Sequence, residues 1–143
     1  MQPIEKLARV SDFLRTMHVG KVPVIFTTNA QDATARLNNA TGVQIVTSRP
    51  ELHQTGDSTT INAVAFVLIK GLGTTSTPEL ESEQFDDLLT VTTRLVLDGI
   101  VSSTDHYDCV RSLLGIELES YDIVPEASIF GGWLGWSVEM TFS

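Results

Sequence analysis

The sequence lacks most of the features that would place it in a familiar functional class. Its single cysteine, Cys109, excludes an internal disulfide and any zinc motif that needs several cysteines. No apolar run approaches the roughly 18 residues of a membrane-spanning helix, and the N-terminus lacks the basic and apolar regions of a secretory signal. We therefore expect a protein that works inside a cell, in a reducing compartment, without a membrane span.

Basic residues are also scarce. The 143 residues include nine Lys and Arg against 18 Asp and Glu, which gives a net charge of −9. Because phosphate binding relies on clustered Lys and Arg, we do not expect nucleic acid to be the main partner, nor direct recognition of a nucleic-acid sequence.

The charge is unevenly distributed along the chain. Residues 1–78 carry seven bases and five acids, for +2, whereas residues 79–143 carry two bases and thirteen acids, for −11. Two interpretations stay open. The acidic half could form a solvated face, which is the usual meaning of such a pattern. It could also pair with a more basic surface on another copy or on a partner.

Two main helices are predicted. Residues 3–18 have apolar side chains at every third or fourth position, which is typical of an amphipathic helix. A long central helix is predicted over about 79–99, and either Thr77–Pro78 or Ser82 can start it. A short helix is predicted over 105–114.

Five strands are predicted from runs of β-branched and aromatic residues. The run Ile61–Lys70 is apolar on both faces, so we expect it in the middle of the sheet. The result is an α/β fold, more narrowly α+β, in one domain covering residues 1–143, with a mostly antiparallel or mixed sheet flanked by the N-terminal helix and the long central helix. The predicted strands are Val24–Thr28, Val43–Thr47, Ile61–Lys70, Ile116–Tyr121 and Trp136–Phe142.

Three polar segments are predicted to be loops, namely 29–41, 48–60 and 71–81. They are longer than typical connections between secondary-structure elements, and long loops often bind something. We hypothesise that they become ordered when neighbouring subunits assemble around the chain.

No complete catalytic or metal-binding constellation is visible. The only local cluster of candidate residues is Asp105–Cys109, and a helix start with Asp105 or Thr104 as its cap accounts for the cluster without a ligand. Cys109 precedes an apolar helix face, which favours a buried, inert thiol. Glu117 and Glu119 share a strand face and are interpreted as solvated. We therefore expect no enzymatic activity, no cofactor and no metal site, with an enzyme that uses Asp105–Cys109 as an open alternative.

The segment Gly131–Trp136 places two tryptophans among three glycines. One interpretation is a ligand platform. The other, which we favour, is a glycine-rich bend that brings the two large aromatic side chains onto the core or onto a subunit interface.

The order of the predicted elements resembles that of small phage tail-terminator and tail-completion (neck) proteins. The ending Gly132–Phe142, in which leucine, glycine and tryptophan lead into an alternating strand, is similar to the ending of some phage and prophage tail proteins. The resemblance implies a virion structural protein without enzymatic activity. It also implies a ring of copies, commonly a hexamer, that is assembled in the host cytoplasm and joins other tail or neck proteins at the head–tail junction.

A ring needs contacts between two different patches of the same chain. We hypothesise that Arg9 and Arg15 face the acids of residues 79–87 on the next copy and set the register of the subunits. In this hypothesis Trp133 and Leu134 supply the apolar part of the affinity. The alternative is a small acidic protein-interaction module, of the immunity or adaptor type, that binds a basic partner.

Overall fold

The computed structural model describes residues 2–19, 22–96 and 115–143. In these ranges the chain forms an α+β fold with three α-helices and one mixed, mainly antiparallel sheet of seven strands, which confirms the predicted fold class. None of these helices is long and apolar enough to cross a bilayer. The helices are α1 (Pro3–Thr16), α2 (Ala30–Leu37) and α3 (Pro78–Arg94), and the strands are β1 (His18–Val19), β2 (Val22–Thr27), β3 (Gln44–Ser48), β4 (Glu51–Thr55), β5 (Ser58–Lys70), β6 (Leu118–Ile129) and β7 (Trp133–Phe142).

The sheet is built around β5. One side of β5 pairs with β4 and then with β3, and the other side pairs with β7. The strand order is β1-β2-β3-β5-β7-β6, in which β2 and β3 are parallel and the other neighbours are antiparallel. β5 is therefore central, as its two apolar faces predict, and β6 forms one edge of the sheet.

Helices cover parts of both faces of the sheet. Ile61, Ala65 and Val67 of β5 point to the face that is covered by α1 and α3, and they belong to the larger core cluster. Leu68 points to the opposite face, where α2 covers a smaller cluster that includes Trp133. Side chains along β5 alternate between these two cores because successive residues of a strand face opposite ways.

The prediction that segment 29–41 is a loop is wrong, because most of this segment forms α2. Asn29 caps this helix, and its side chain accepts a hydrogen bond of 2.8 Å from the backbone N–H of Asp32. The backbone N–H of Thr28 donates in return to the Asp32 carboxylate at 3.0 Å. This hydrogen bond is the main reason that the pKa of Asp32 lies below its ordinary value, and the hydrogen bond and positive charge of Arg36 lower it further. Ala33 and Leu37, one turn apart, bury the inner side of the helix.

The predicted loop 48–60 is also largely wrong. β4 and the start of β5 form a hairpin there, and its turn lies at Gly56 and Asp57, where the sequence carries a turn signal. The side chains of β4 are mostly exposed and polar, so the strand has no apolar alternation by which it could be recognised. The third segment, 71–81, contains a connection with a short 3-10 turn at Gly73–Thr75, and its last residues belong to α3, which begins at Pro78.

The C-terminal hairpin is longer than predicted. β6 continues to Ile129 instead of ending at Tyr121, and β7 begins at Trp133 instead of Trp136. The turn between them contains Gly131 and Gly132, both with positive φ, as the two glycines predict. The predicted end of the central helix near residue 99 and the predicted helix 105–114 lie outside the described residues.

Candidate interaction surface

The described residues contain no group of three or more His, Cys, Asp and Glu side chains that could hold a metal ion. The Asp105–Cys109 cluster lies outside these residues. Glu117 and Glu119 are both exposed at the start of the C-terminal hairpin, in agreement with their interpretation as solvated carboxylates.

The core interpretation of the segment Gly131–Trp136 is confirmed. Trp133 is 1% exposed and packs in the cluster under α2, whereas Leu134 is 5% exposed and packs in the opposite cluster. The indole Nε1 of Trp136 donates a hydrogen bond of 2.9 Å to the backbone oxygen of Phe85 in α3, and the two rings meet edge to face at 5.5 Å. Trp133 and Leu134 are therefore occupied by intramolecular packing and present no side-chain surface to another copy.

Arg9 and Arg15 are both exposed on α1 but do not form one patch. At about 100° per residue, six residues place the two side chains about 120° apart around the helix axis. The guanidinium of Arg15 lies 4.7 Å from the ring centroid of Phe26 in β2, in a cation–π contact. We call Arg15 and Phe26 the Arg15 corner. It lies at the β2 side of the molecule, far from β6 in the strand order.

The edge strand β6 exposes apolar side chains. Tyr121 is 42% and Ile123 is 38% exposed, and both point to the face of the sheet that is covered by α1 and α3, since their partners in β7 are Met140 and Val138. Val124, which points to the other side, is 36% exposed. Together with Asp122 we call these residues, 121–124, the β6 strip.

The backbone of β6 is poorly suited to pairing with a further strand. Pro125 lies one residue after the β6 strip and has no N–H to donate. The register with β7 shifts between Leu118 and Ser120 and again between Glu126 and Ile129. Prolines and bulges of this kind protect sheet edges from uncontrolled strand addition. A further strand could therefore pair only poorly with the backbone of β6.

The surroundings of the β6 strip are acidic. Residues 115–143 include five acids and no Lys, Arg or His. Asp122 lies directly opposite Glu139 of β7, and like charges in this position destabilise a sheet. Both carboxylates line an open groove of about 420 Å³, which Arg49 and Glu51 also line. The ion pairs recorded among the described residues, Arg36–Asp32 and His53–Glu51, involve neither Asp122 nor Glu139.

The sequence prediction missed the β6 strip because the predicted strand ended at Tyr121. The alternation that continues through Tyr121, Asp122 and Ile123 was the available signal. Pro125 obscured it, since proline argues against a central strand but is tolerated at an edge.

Comparison with known proteins adds no relationship to these observations. No protein-family model matches the chain, and a search of curated proteins found no match.

Proposed function

We propose that the protein is a non-catalytic structural subunit of a phage tail or neck, of the tail-terminator or tail-completion type, that assembles into a ring. The observation that carries the proposal is the separation of charge across the fold. Residues 3–70, from α1 to β5, carry seven bases and five acids, whereas α3, β6 and β7 together carry nine acids and one base. The resemblance of the sequence to this family supplies the biological setting, a virion component assembled in the host cytoplasm.

Charge separation favours a ring over a symmetric dimer. A ring forms when one patch meets a different patch on the next copy and the rotation between copies closes. A two-fold contact through the acidic side of this protein would bring acids against acids. A head-to-tail contact brings the acidic side of one copy against the less acidic side of its neighbour, and this arrangement is electrostatically favourable.

Sedimentation velocity and negative-stain microscopy of the purified chain test this proposal. We expect a single large species, with a ring-shaped image and six copies as the family resemblance implies. Raising the salt from 0.1 M to 1 M shortens the Debye length from about 10 Å to about 3 Å, so we expect dissociation. A chain that stays monomeric at high micromolar concentration in low salt would refute the proposal.

The second candidate is an acidic protein-interaction module, and the exposed, facing carboxylates of Asp122 and Glu139 favour it. A module of this type would remain monomeric and would bind a basic partner in a salt-dependent way. Poly-lysine is a suitable probe, since it carries positive charge without a folded surface. A monomer that binds poly-lysine tightly, and forms no ring, would favour the module over the assembly subunit.

A further inference from the structure

We propose that α2 is a cover that opens as a unit while the rest of the protein stays folded, and that its opening exposes the apolar surface around Trp133. This inference concerns the folded chain by itself and does not rest on the proposed ring. It is supported by the separation of the two cores, by the weak anchoring of α2, by backbone strain beside this helix and by the chemistry of the surface below it.

The two cores lie on opposite faces of the sheet. The larger cluster, under α1 and α3, includes Val10, Leu14 and Ile61. The smaller cluster, under α2, consists of Ala33, Leu37, Val46, Leu68 and Trp133. Among the described residues, no buried side chain belongs to both clusters. Because the sheet separates them, the smaller cluster can open while the larger one holds the sheet, α1 and α3 together.

α2 is weakly anchored. It has eight residues, fewer than the roughly 12–15 at which an isolated helix becomes even marginally stable in water. Only Ala33 and Leu37 are buried, whereas α1 buries three side chains. The ion pair between Arg36 and Asp32 is exposed and adds little. The helix therefore depends strongly on its cap, the hydrogen bond that the side chain of Asn29 accepts from the first turn.

The turn beside α2 has a strained backbone. Ser128 and Phe130, at the end of β6, have φ angles of 55° and 48°, and this left-handed conformation is unfavourable for residues with a Cβ. Packing holds it in place, because the ring of Phe130 meets that of Phe66 edge to face at 5.2 Å beside the smaller cluster. The turn also touches α2, since a Cβ built on Gly131 would lie 3.4 Å from Cγ2 of Thr34. Opening of α2 removes part of this packing, so release of the strain favours the open form.

The surface below α2 is apolar, unlike the outer side of the helix. Trp133 is one of the largest fully buried side chains, and it lies there with Val46 and Leu68. The outer side of α2 carries exposed polar side chains such as Gln31 and Arg36. Opening thus replaces a polar surface by one that contains tryptophan, a residue type enriched at the centres of protein interfaces. Trp133 is available for contact only in the open form.

Amide hydrogen exchange under native conditions tests the opening. Segments that open locally exchange faster than segments that open only on global unfolding. After correction for intrinsic rates, we expect amides 33–37 of α2 to exchange at least about a hundredfold faster than amides 64–67 of β5. Two conservative variants with similar expected effects on stability separate local from global opening. Asn29→Ala removes the cap of α2, and Ile61→Val removes one methylene from the larger core.

The two variants should differ in their effect on α2. Asn29→Ala destabilises the closed form relative to every form in which α2 is open, so amides of both α2 and β5 should exchange about fivefold faster. Ile61→Val weakens a core that is intact when α2 opens, so it should accelerate exchange about fivefold in β5 but less than about twofold in α2. If Ile61→Val accelerated exchange in α2 as much as in β5, α2 would open only with the whole fold, and the proposal would be wrong.

Thiol labelling tests whether the opening uncovers the surface. Val46 is 1% exposed below α2, and Val46→Cys introduces a small apolar side chain there. A Cys109→Ala background removes the only other thiol. The labelling rate should rise about fivefold when Asn29→Ala is added, and should stay within about twofold when Ile61→Val is added. Equal acceleration by the two variants would show that this surface is exposed only by global unfolding, and would overturn the proposal.

Discussion

Gly135 is the position where a single methyl group should disturb the fold most. It lies in β7 directly opposite Leu68 of β5, third from one end of the pairing between these two strands. A Cβ built on Gly135 would lie 1.9 Å from the backbone oxygen of Val67 and 3.1 Å from the Cα of Leu68. Ordinary contacts begin at 3.4 Å, so the two strands would have to move apart by about 1.5 Å. Because the obstructing atoms belong to the backbone, no side-chain rotation can relieve the clash.

We expect Gly135→Ala to lower the free energy of unfolding by about 3 kcal/mol, the upper part of the range for overpacked sites. Gly42→Ala is the matched control. Gly42 also has a positive φ, of 74°, but nothing lies within 4 Å of its added Cβ, so this variant should cost only about 1 kcal/mol for the left-handed backbone.

Urea unfolding monitored by tryptophan fluorescence measures the free energy of unfolding of both variants. The signal is suitable because Trp133 is buried and Trp136 packs against α3. Equal losses of stability in Gly135→Ala and Gly42→Ala would show that β5 and β7 do not approach as closely as described, and would refute the reasoning.

Two further predictions address the cap of α2 and its pH dependence. Asn29→Ala should lower the free energy of unfolding by about 1 kcal/mol, measured by urea denaturation, because it removes the cap of α2; an unchanged midpoint would count against the cap. The pKa of Asp32 is lowered from 3.8, so its stabilising effect is present above that pH and is lost as the pH falls through the folded-state pKa. Acid titration of Asp32→Asn should accordingly show a weaker loss of stability than wild type, and identical acid profiles would contradict this.

Strong periodic patterns predicted most of the fold. The apolar spacing of residues 3–18 predicted α1. The run Ile61–Lys70, which is apolar on both faces, predicted the central strand β5. The elements that the sequence did not predict have weak patterns. α2 has only eight residues and buries only Ala33 and Leu37, and β4 is almost entirely polar and exposed. Tertiary pairing with β5, which local sequence does not encode, is what makes β4 a strand.

The candidate surface was harder to predict because burial depends on all elements together. The alternation of β7 indicates which side chains share a face, but it does not indicate that both faces are covered. Because α2 was not predicted, nothing in the predicted fold covered Trp133, which therefore remained available for an interface. In the structure α2 covers it. The separation of Arg9 from Arg15 follows from helix geometry and could have been recognised from the sequence alone.

Native mass spectrometry of the wild-type chain in low-salt volatile buffer tests the central claim most directly. The ring predicts a dominant closed species at an integral multiple of the 15.6 kDa chain mass, with six copies as the expected number. A spectrum that contains only the 15.6 kDa monomer across the micromolar range would contradict the account.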